Sequence, residues 1–122
     1  MVEDKKNVGL SEKMNMKLKS LTEADNIFKD ETDGYRLAAS LAIYKNLPFE
    51  DRKLDNYDNK YRVEAIDENA IYKNIIKEKY PHLEGQEYRA FEKLADVGME
   101  YLSEQISKNQ MIDIEKLMQD DS

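Results

Sequence analysis

The sequence predicts a mainly α, compact bundle of four to five helices with at most two short strands. With 122 residues, the chain has the length of one domain with one modest core. Apolar residues make up 40% and charged residues 37%, so the chain is polar but holds enough apolar surface to fold. Several segments repeat apolar residues at helical spacings. We expect a flexible arm at 1–12, one helical domain at 13–118 and a flexible tail at 119–122.

The N-terminal third is predicted to form one strand and two helices. Apolar and polar residues alternate over residues 13–19, which is typical of a half-buried strand. Ser20 and Glu23 have capping-box spacing and predict a short helix after that strand. Asp33 is expected to start a second helix. Its apolar stripe contains small residues that allow another helix to approach closely: Tyr35, Ala38, Leu41 and Ala42.

The C-terminal half is predicted to be a loop followed by helices. Residues 46–62 are rich in Asn, Asp and Lys and are predicted to form the loop. Residues 61–67, which overlap its end, are predicted to form a short strand. Asp67 is a good N-cap for the next helix, whose expected buried face holds Ile71, Ile75 and Ile76 and which Pro81 ends. The longest helix runs from Gln86 to about Lys108 on an apolar stripe. Ile112, Ile114, Leu117 and Met118 suggest a last short helix.

Composition and charge exclude several classes of protein. The chain has no cysteine, which excludes disulfides and thiolate metal sites. No apolar run approaches the roughly 18 residues that span a bilayer, and the charged N-terminus is unlike a signal peptide. The net charge of −7 disfavours broad binding to nucleic acid or anionic lipid. We therefore expect a cytoplasmic protein with no membrane partner.

The segment LDNYDNKYRVEAID at 54–67 most resembles a site. It fails the EF-hand pattern, because Tyr57 takes the third position where an oxygen ligand is needed and Lys60 takes the sixth, where Gly is needed. A solvated turn rich in Asn and Asp explains the carboxylates. Tyrosines set among charges are common at protein interfaces, so Tyr57 and Tyr61, with Arg52 and Lys53, are the candidate partner-binding residues.

The sequence offers little support for an enzyme. His82 is the single histidine, and it lies in a turn with no cysteine in the chain to act as nucleophile. The four glycines form neither a P-loop nor a Rossmann fingerprint. We expect no catalytic residue, no cofactor and no bound metal.

DNA binding is the alternative function. A strand at 13–19 followed by two helices would match the element order of ribbon-helix-helix proteins, whose paired strands enter the major groove. Asn15, Lys17 and Lys19 would then contact DNA, and the strand would pair across a two-fold axis to form a homodimer. The acidic residues 21–35 would oppose phosphate binding.

One stretch resembles a known class of proteins. Ile27 and Phe28 before a polar turn, an Ala-rich helix over 37–44, and the basic pair Arg52 and Lys53 resemble small accessory proteins of bacterial Dnd-type (DNA phosphorothioation) and related defence clusters. The resemblance covers about a third of the chain and implies a non-catalytic helper of a larger defence machine. We therefore expect a non-enzymatic accessory or regulatory protein that binds another macromolecule, and we expect that macromolecule to be a protein, in a bacterial or phage defence-related context.

Overall fold

The computed structural model of the chain describes residues 4–24, 27–54 and 58–109. Within these residues the chain is mainly helical and holds one two-stranded antiparallel sheet, which confirms the predicted fold class. The elements are, in order, β1 (Asn7–Leu10), α1 (Glu12–Lys19), α2 (Glu31–Tyr44), β2 (Asp58–Arg62), α3 (Val63–Ile66), α4 (Ile71–Lys79) and α5 (Glu87–Asn109).

The core lies between α2 and α5. The predicted stripe of α2 is fully buried, and the predicted stripe of α5 is confirmed by the burial of Tyr88, Phe91, Leu94, Ala95 and Leu102. A Cβ atom added at Gly98 would lie 1.8 Å from the carbonyl oxygen of Ala38. The two helices are therefore in backbone contact, which requires small residues at the crossing.

Helix α2 begins at Glu31, two residues earlier than the sequence predicts. Asp30 is its N-cap, and the Asp30 carboxylate accepts a hydrogen bond from the backbone N–H of Asp33 at 2.9 Å. The hydroxyl of Thr32 also donates to this carboxylate. These two hydrogen bonds lower the pKa of Asp30. The cap satisfies an amide that the helix itself leaves unpaired.

The predicted strand at 13–19 is wrong, because these residues lie in α1. Met14 and Leu18, four positions apart, are buried, whereas Met16 between them is 67% exposed. A spacing of four places both buried side chains on one face of a helix, and three residues of alternation are too few to decide between the two periods. The predicted cap at Ser20 is also wrong, because α1 continues there as a π-helical turn, Ser20–Ala24.

The strand that does form lies earlier in the chain. β1 pairs antiparallel with β2, with Val8 opposite Tyr61, and Val8 and Leu10 are buried. The Tyr35 hydroxyl donates to the carbonyl oxygen of Gly9 at 3.0 Å. Residues Asn7–Leu10 thus differ from the predicted flexible arm at 1–12, because their apolar side chains are part of the core.

The Asp67 side chain caps the N-terminus of α4, but the N-cap position is Ala70 and the helix begins at Ile71, three residues later than the sequence predicts. The buried Asp67 carboxylate accepts hydrogen bonds from the backbone N–H groups of Tyr72 and Lys73, both at 3.0 Å. The predicted strand at 61–67 is correct only as far as Arg62, where β2 ends and α3 begins. The predicted last helix at 112–118 and the tail at 119–122 lie outside the described residues.

The expected buried face of α4 is wrong at two of its three isoleucines. Ile76 is fully buried, but Ile71 is 55% exposed and Ile75 is 40% exposed. Tyr72 and Ile76, four positions apart, face the core instead, with Tyr72 half-buried. Neighbouring residues on a helix point about 100° apart, so Ile75 and Ile76 do not share a direction. α4 therefore carries a second, exposed apolar line.

Candidate interaction surface

Arg52 is tied to a buried carboxylate of α5. Its Nε lies 2.6 Å from Oδ2 of Asp96, which is 1% exposed, and its terminal nitrogens lie 3.5 Å from the Glu100 carboxylate. The backbone N–H and the hydroxyl of Ser11 donate to the other Asp96 oxygen at 2.8 and 2.9 Å. These contacts hold the loop and the start of α1 against α5, because a buried charge must be paired. Lys53, beside Arg52, is exposed.

Tyr61 packs into the fold from β2. Its ring meets the ring of Tyr35 edge to face, with centroids 5.1 Å apart. Its hydroxyl oxygen is buried without a hydrogen-bond partner among the described residues. Burial, followed by the charges of Glu31 and Asp30, raises the pKa of Tyr61. Tyr61 is thus half-buried core rather than an exposed contact, and Tyr57 lies outside the described residues.

The residues of the DNA-binding alternative lie on α1. Lys19 is exposed, and Asn15 and Lys17 are partly exposed. The strand that would insert into DNA is absent here, because the paired strand of the described chain is β1 and its partner is β2 of the same chain. The structural premise of the ribbon-helix-helix alternative, and of a homodimer paired through residues 13–19, is therefore wrong.

The two exposed isoleucines border a groove between α2 and α4, which we call the α2–α4 groove. Arg36 and Ser40 of α2 form one wall, and Ile71, Tyr72 and Ile75 of α4 form the other. Residues 66–69 close one end, and the volume is about 370 Å³. Exposed apolar side chains that meet in a concave, polar-rimmed site mark interaction surfaces.

Polar contacts between the walls hold the groove in shape. The hydroxyls of Ser40 and Tyr72 are 2.9 Å apart and share a hydrogen bond. Arg36 donates from Nε to the carbonyl oxygen of Ile66 at 2.9 Å and from Nη2 to that of Ala65 at 3.2 Å. Because these bonds cross from α2 to the segment before α4, the groove is formed before any partner arrives.

The ring of Tyr72 also anchors α4 to the core. It stacks on Phe91 of α5 with centroids 4.9 Å apart and an interplanar angle of 25°. Asp67 accepts a further hydrogen bond from the hydroxyl of Tyr88 at 3.1 Å. Burial, followed by the nearby charge of Asp67, raises the pKa of Tyr88. The floor of the groove is thus rigid while its isoleucine edge faces solvent.

A second cavity, of about 540 Å³, lies in the loop after α2. Residues 46–52 and Tyr80 line it. The Glu50 carboxylate beside it already meets Nε2 of His82 at 2.6 Å, and Phe49 is buried against the Tyr80 ring. Its apolar groups are therefore largely engaged within the fold. We consider the α2–α4 groove the stronger candidate surface.

Sequence reasoning missed the groove for a reason visible in the spacing. Tyr72 and Ile76 form one line with a spacing of four, and Ile71 and Ile75 form a second line beside it. A nine-residue helix at the edge of a small core buries one such line, so two parallel lines signal apolar surface left over. The buried Asp96 gave no comparable signal, because an acidic residue within an apolar stripe is common in so charged a chain.

Comparisons with protein-family models, curated proteins and solved structures find no match to this chain. None of the helices in the described ranges is long and apolar enough to cross a membrane. Within the same ranges, no group of three or more His, Asp or Glu side chains is arranged to hold a metal ion.

Proposed function

We propose that this chain is a non-enzymatic accessory protein that binds another protein through the α2–α4 groove. The observation that carries the proposal is the exposure of Ile71 and Ile75 along one edge of the groove. Ile71 and Ile75 lie one helical turn apart on the same face of α4. Exposing two neighbouring aliphatic side chains to water is unfavourable. Burying each one completely contributes about 1.5–3 kcal/mol.

The rigidity of the groove supports the same proposal. The bonds from Ser40 to Tyr72 and from Arg36 to the backbone before α4 are intact in the chain by itself. A partner therefore loses little free energy in ordering this surface, which raises the affinity available from a small contact. The groove also offers the exposed carboxylate of Glu68 as a polar group that orients a partner.

The biological setting is part of the proposal. The resemblance over residues 27–67 suggests that the partner belongs to a bacterial or phage defence system. Arg52 and Lys53 are not the centre of the proposed contact, because Arg52 is held by Asp96. Lys53 stays available at the surface beside it.

Affinity purification from the native host tests the proposal with four chains. Wild type and Met16→Asp are expected to retain the same co-purifying protein, and Ile71→Asp and Ile75→Asp are expected to lose it. Met16 is the matched control because it is more exposed than either isoleucine and lies on α1, away from the groove. The retained protein is then purified and its Kd measured against all four chains.

The charge introduced at either isoleucine is expected to weaken binding by at least about tenfold, since it removes apolar contact and desolvates a carboxylate. Thermal unfolding of each variant checks that the fold is intact. Equal binding by folded Ile71→Asp, Ile75→Asp and wild type would overturn the proposal.

A further inference from the structure

The exposed line of α4 carries a carboxylate at each end. Ile71, Ile75 and Glu78 follow one another at spacings of four and three, so their side chains project from the same side of the helix. Glu68, which precedes α4, lines the α2–α4 groove at the other end. Both glutamates are exposed, and neither forms an ion pair within the described residues. The apolar edge of the groove therefore lies between two carboxylates that a partner can approach.

The cations on the two walls of the groove are bound within the chain. Arg36 donates to two backbone carbonyl oxygens before α4, and its Nη1 lies 3.5 Å from Oδ1 of Asp33. The ammonium of Lys79 donates to the carbonyl oxygen of Ile43 and lies over the ring of Tyr80, 5.8 Å from its centroid. A carboxylate of a partner would compete with these contacts, whereas a cation of a partner meets two glutamates that are not engaged in this way.

The other charges of α4 and of the groove do not change this balance. Lys73 and Lys77 project at least about 120° away from both exposed isoleucines about the helix axis. The ammonium of Lys73 lies over the ring of Tyr88, 5.9 Å from its centroid. Asp67 is buried, and its oxygens accept hydrogen bonds from two backbone amides and from the Tyr88 hydroxyl. The charges that this surface offers to a partner are thus negative.

We propose that the partner bound in the α2–α4 groove is an amphipathic helix with basic residues, Lys or Arg, at both ends of its apolar face. The inference rests on the proposed function, because it gives the chemical class of the partner of that same groove. The apolar face of the partner helix packs on Ile71 and Ile75, as in other complexes of a helix in a groove. Its cations pair with Glu68 and Glu78 and so fix its register and orientation.

The dimensions of the surface set the length of the partner helix. α4 rises about 1.5 Å per residue, so Glu78 lies about 10 Å along the axis from Ile71. Glu68 precedes Ile71 by a further three positions, so the line between the two carboxylates corresponds to about three to four turns of a partner helix. The net charge of −7 on the whole chain also attracts a basic partner before contact is made.

Fluorescence anisotropy with synthetic peptides is the first test. The basic probe is a helical peptide of about 16 residues, with leucines four positions apart on one face, lysines at both ends of that face and Ala or Gln elsewhere. The acidic probe has glutamate in place of every lysine. A third probe has the sequence of residues 110–122, which contains four carboxylates and one lysine among aliphatic residues.

At low salt, the wild-type chain is expected to bind the basic probe with a micromolar Kd, at least about tenfold more tightly than either of the other two probes. No binding of the basic probe, or equal binding of the basic and acidic probes, overturns the inference. Tighter binding of the third probe would assign the groove to the chain's own C-terminal segment and overturns it as well.

Neutral substitutions test where the basic probe binds. Glu68→Gln and Glu78→Gln are each expected to raise its Kd about threefold at low salt, because each removes one exposed ion pair, and the double variant is expected to raise it about tenfold. Glu104→Gln is the matched control, because it changes the net charge equally at an exposed position of α5, about 20 Å along the axis from Phe91. A Glu104→Gln effect as large as that of Glu68→Gln would show that only the net charge matters.

Ile75→Ala tests the apolar part of the contact and leaves both glutamates in place. It is expected to raise the Kd of the basic probe about fivefold, because the exposed part of the side chain no longer packs against the leucines. Added salt is expected to weaken binding by the wild-type chain more than binding by the double Gln variant. A Kd that Ile75→Ala leaves unchanged places the basic probe elsewhere and overturns the inference.

Two further measurements separate this inference from the broader proposal. A protein from the host that binds wild type and the double Gln variant equally, but is lost on Ile75→Asp substitution, overturns the basic helix and leaves protein binding through the groove in place. Sedimentation equilibrium of the chain alone tests for a second copy, and a dimer that Ile75→Ala dissociates would also overturn the basic helix. If substitutions at the isoleucines and at the glutamates change no binding at all, both proposals fail.

Discussion

Helices α2 and α4 both pack against α5, but they do so in different ways. α2 meets α5 at backbone distance, with Gly98 against the carbonyl of Ala38, and its apolar stripe is fully buried. α4 is joined to α5 through rings and polar groups, by the stack of Tyr72 on Phe91 and by the bond between Asp67 and Tyr88. The α2–α5 contact is a close crossing of two helix backbones, whereas α4 lies at the edge of the core and is held there by side-chain contacts.

The difference shows how apolar surface is distributed in a small domain. A helix at the centre of the core can bury a broad stripe, whereas a helix at the edge buries a single line of side chains. On α4 that line contains Ile76, and Ile71 and Ile75 fall outside it. Apolar surface that the fold does not use is then available to a partner.

The largest expected effect is at the close contact. Gly98→Ala places a Cβ atom against the backbone of Ala38, which cannot rotate away as a side chain can. We expect a loss of about 3 kcal/mol or more in the free energy of unfolding, although Ala favours helix more than Gly does. Urea denaturation followed by circular dichroism measures the change.

Gly85→Ala is the control for this substitution. A Cβ at Gly85 meets no atom within 4 Å, but the residue has a φ of 88° that favours glycine. We expect it to cost about 1 kcal/mol. A Gly98→Ala chain as stable as Gly85→Ala would show that α2 and α5 are not in backbone contact.

The next largest effect on stability is expected at Ile76, which is buried in the core. Its neighbour Ile75, on the exposed side of α4, provides a direct comparison. Ile76→Ala is expected to lower the free energy of unfolding by about 2–5 kcal/mol, because it leaves a cavity in the core. Ile75→Ala is expected to change it by less than about 0.5 kcal/mol in dilute solution, because that side chain is partly in water. Denaturation of both variants at the same low concentration tests the contrast. Equal losses would remove the distinction between the two lines.

Two tyrosine hydroxyls give the smallest effect. Tyr88→Phe removes a buried hydrogen bond to the carboxylate of Asp67, and we expect it to cost about 1.5–3 kcal/mol. Tyr61→Phe removes a buried hydroxyl with no partner in the described residues, and we expect stability to stay level or rise by up to about 1 kcal/mol. If Tyr61→Phe costs as much as Tyr88→Phe, the Tyr61 hydroxyl is bonded.

The same tyrosine variants differ from wild type in alkaline solution. The pKa of Tyr88 is raised in the folded chain, chiefly by burial, so its contribution to stability is complete below about pH 10 and is lost as the pH rises above it. The pKa of Tyr61 is also raised, chiefly by burial, so the contribution of Tyr61 to stability is likewise lost as the pH rises above about 10. We expect each Phe variant to lose less stability than wild type between neutral pH and about pH 11. An unchanged slope for both variants would contradict this.

The main helices could be predicted from local signals. The stripes of α2 and α5 have helical spacing over many residues, and Pro81 marks the end of α4. Asp67 is correctly predicted as a capping side chain for α4, although it lies three residues before the N-cap position Ala70. Long, regular patterns favour one structure so strongly that tertiary contacts do not change it. Residues 13–19 are a different case, because a short run with three apolar residues fits either a strand or a helix, and only the burial of Met14 and Leu18 separates the two.

The sequence by itself determined the fold class, the two core helices and the absence of thiol chemistry, because these depend on spacing and composition within one segment. Only the tertiary structure decided which polar residues became internal and which apolar residues stayed outside. Arg52 reaches Asp96 across 44 positions of the chain. Ile75 is exposed and Ile76 buried because α5 covers only one side of α4. Long-range contacts are not encoded in local spacing, so the candidate surface became visible only in the folded chain.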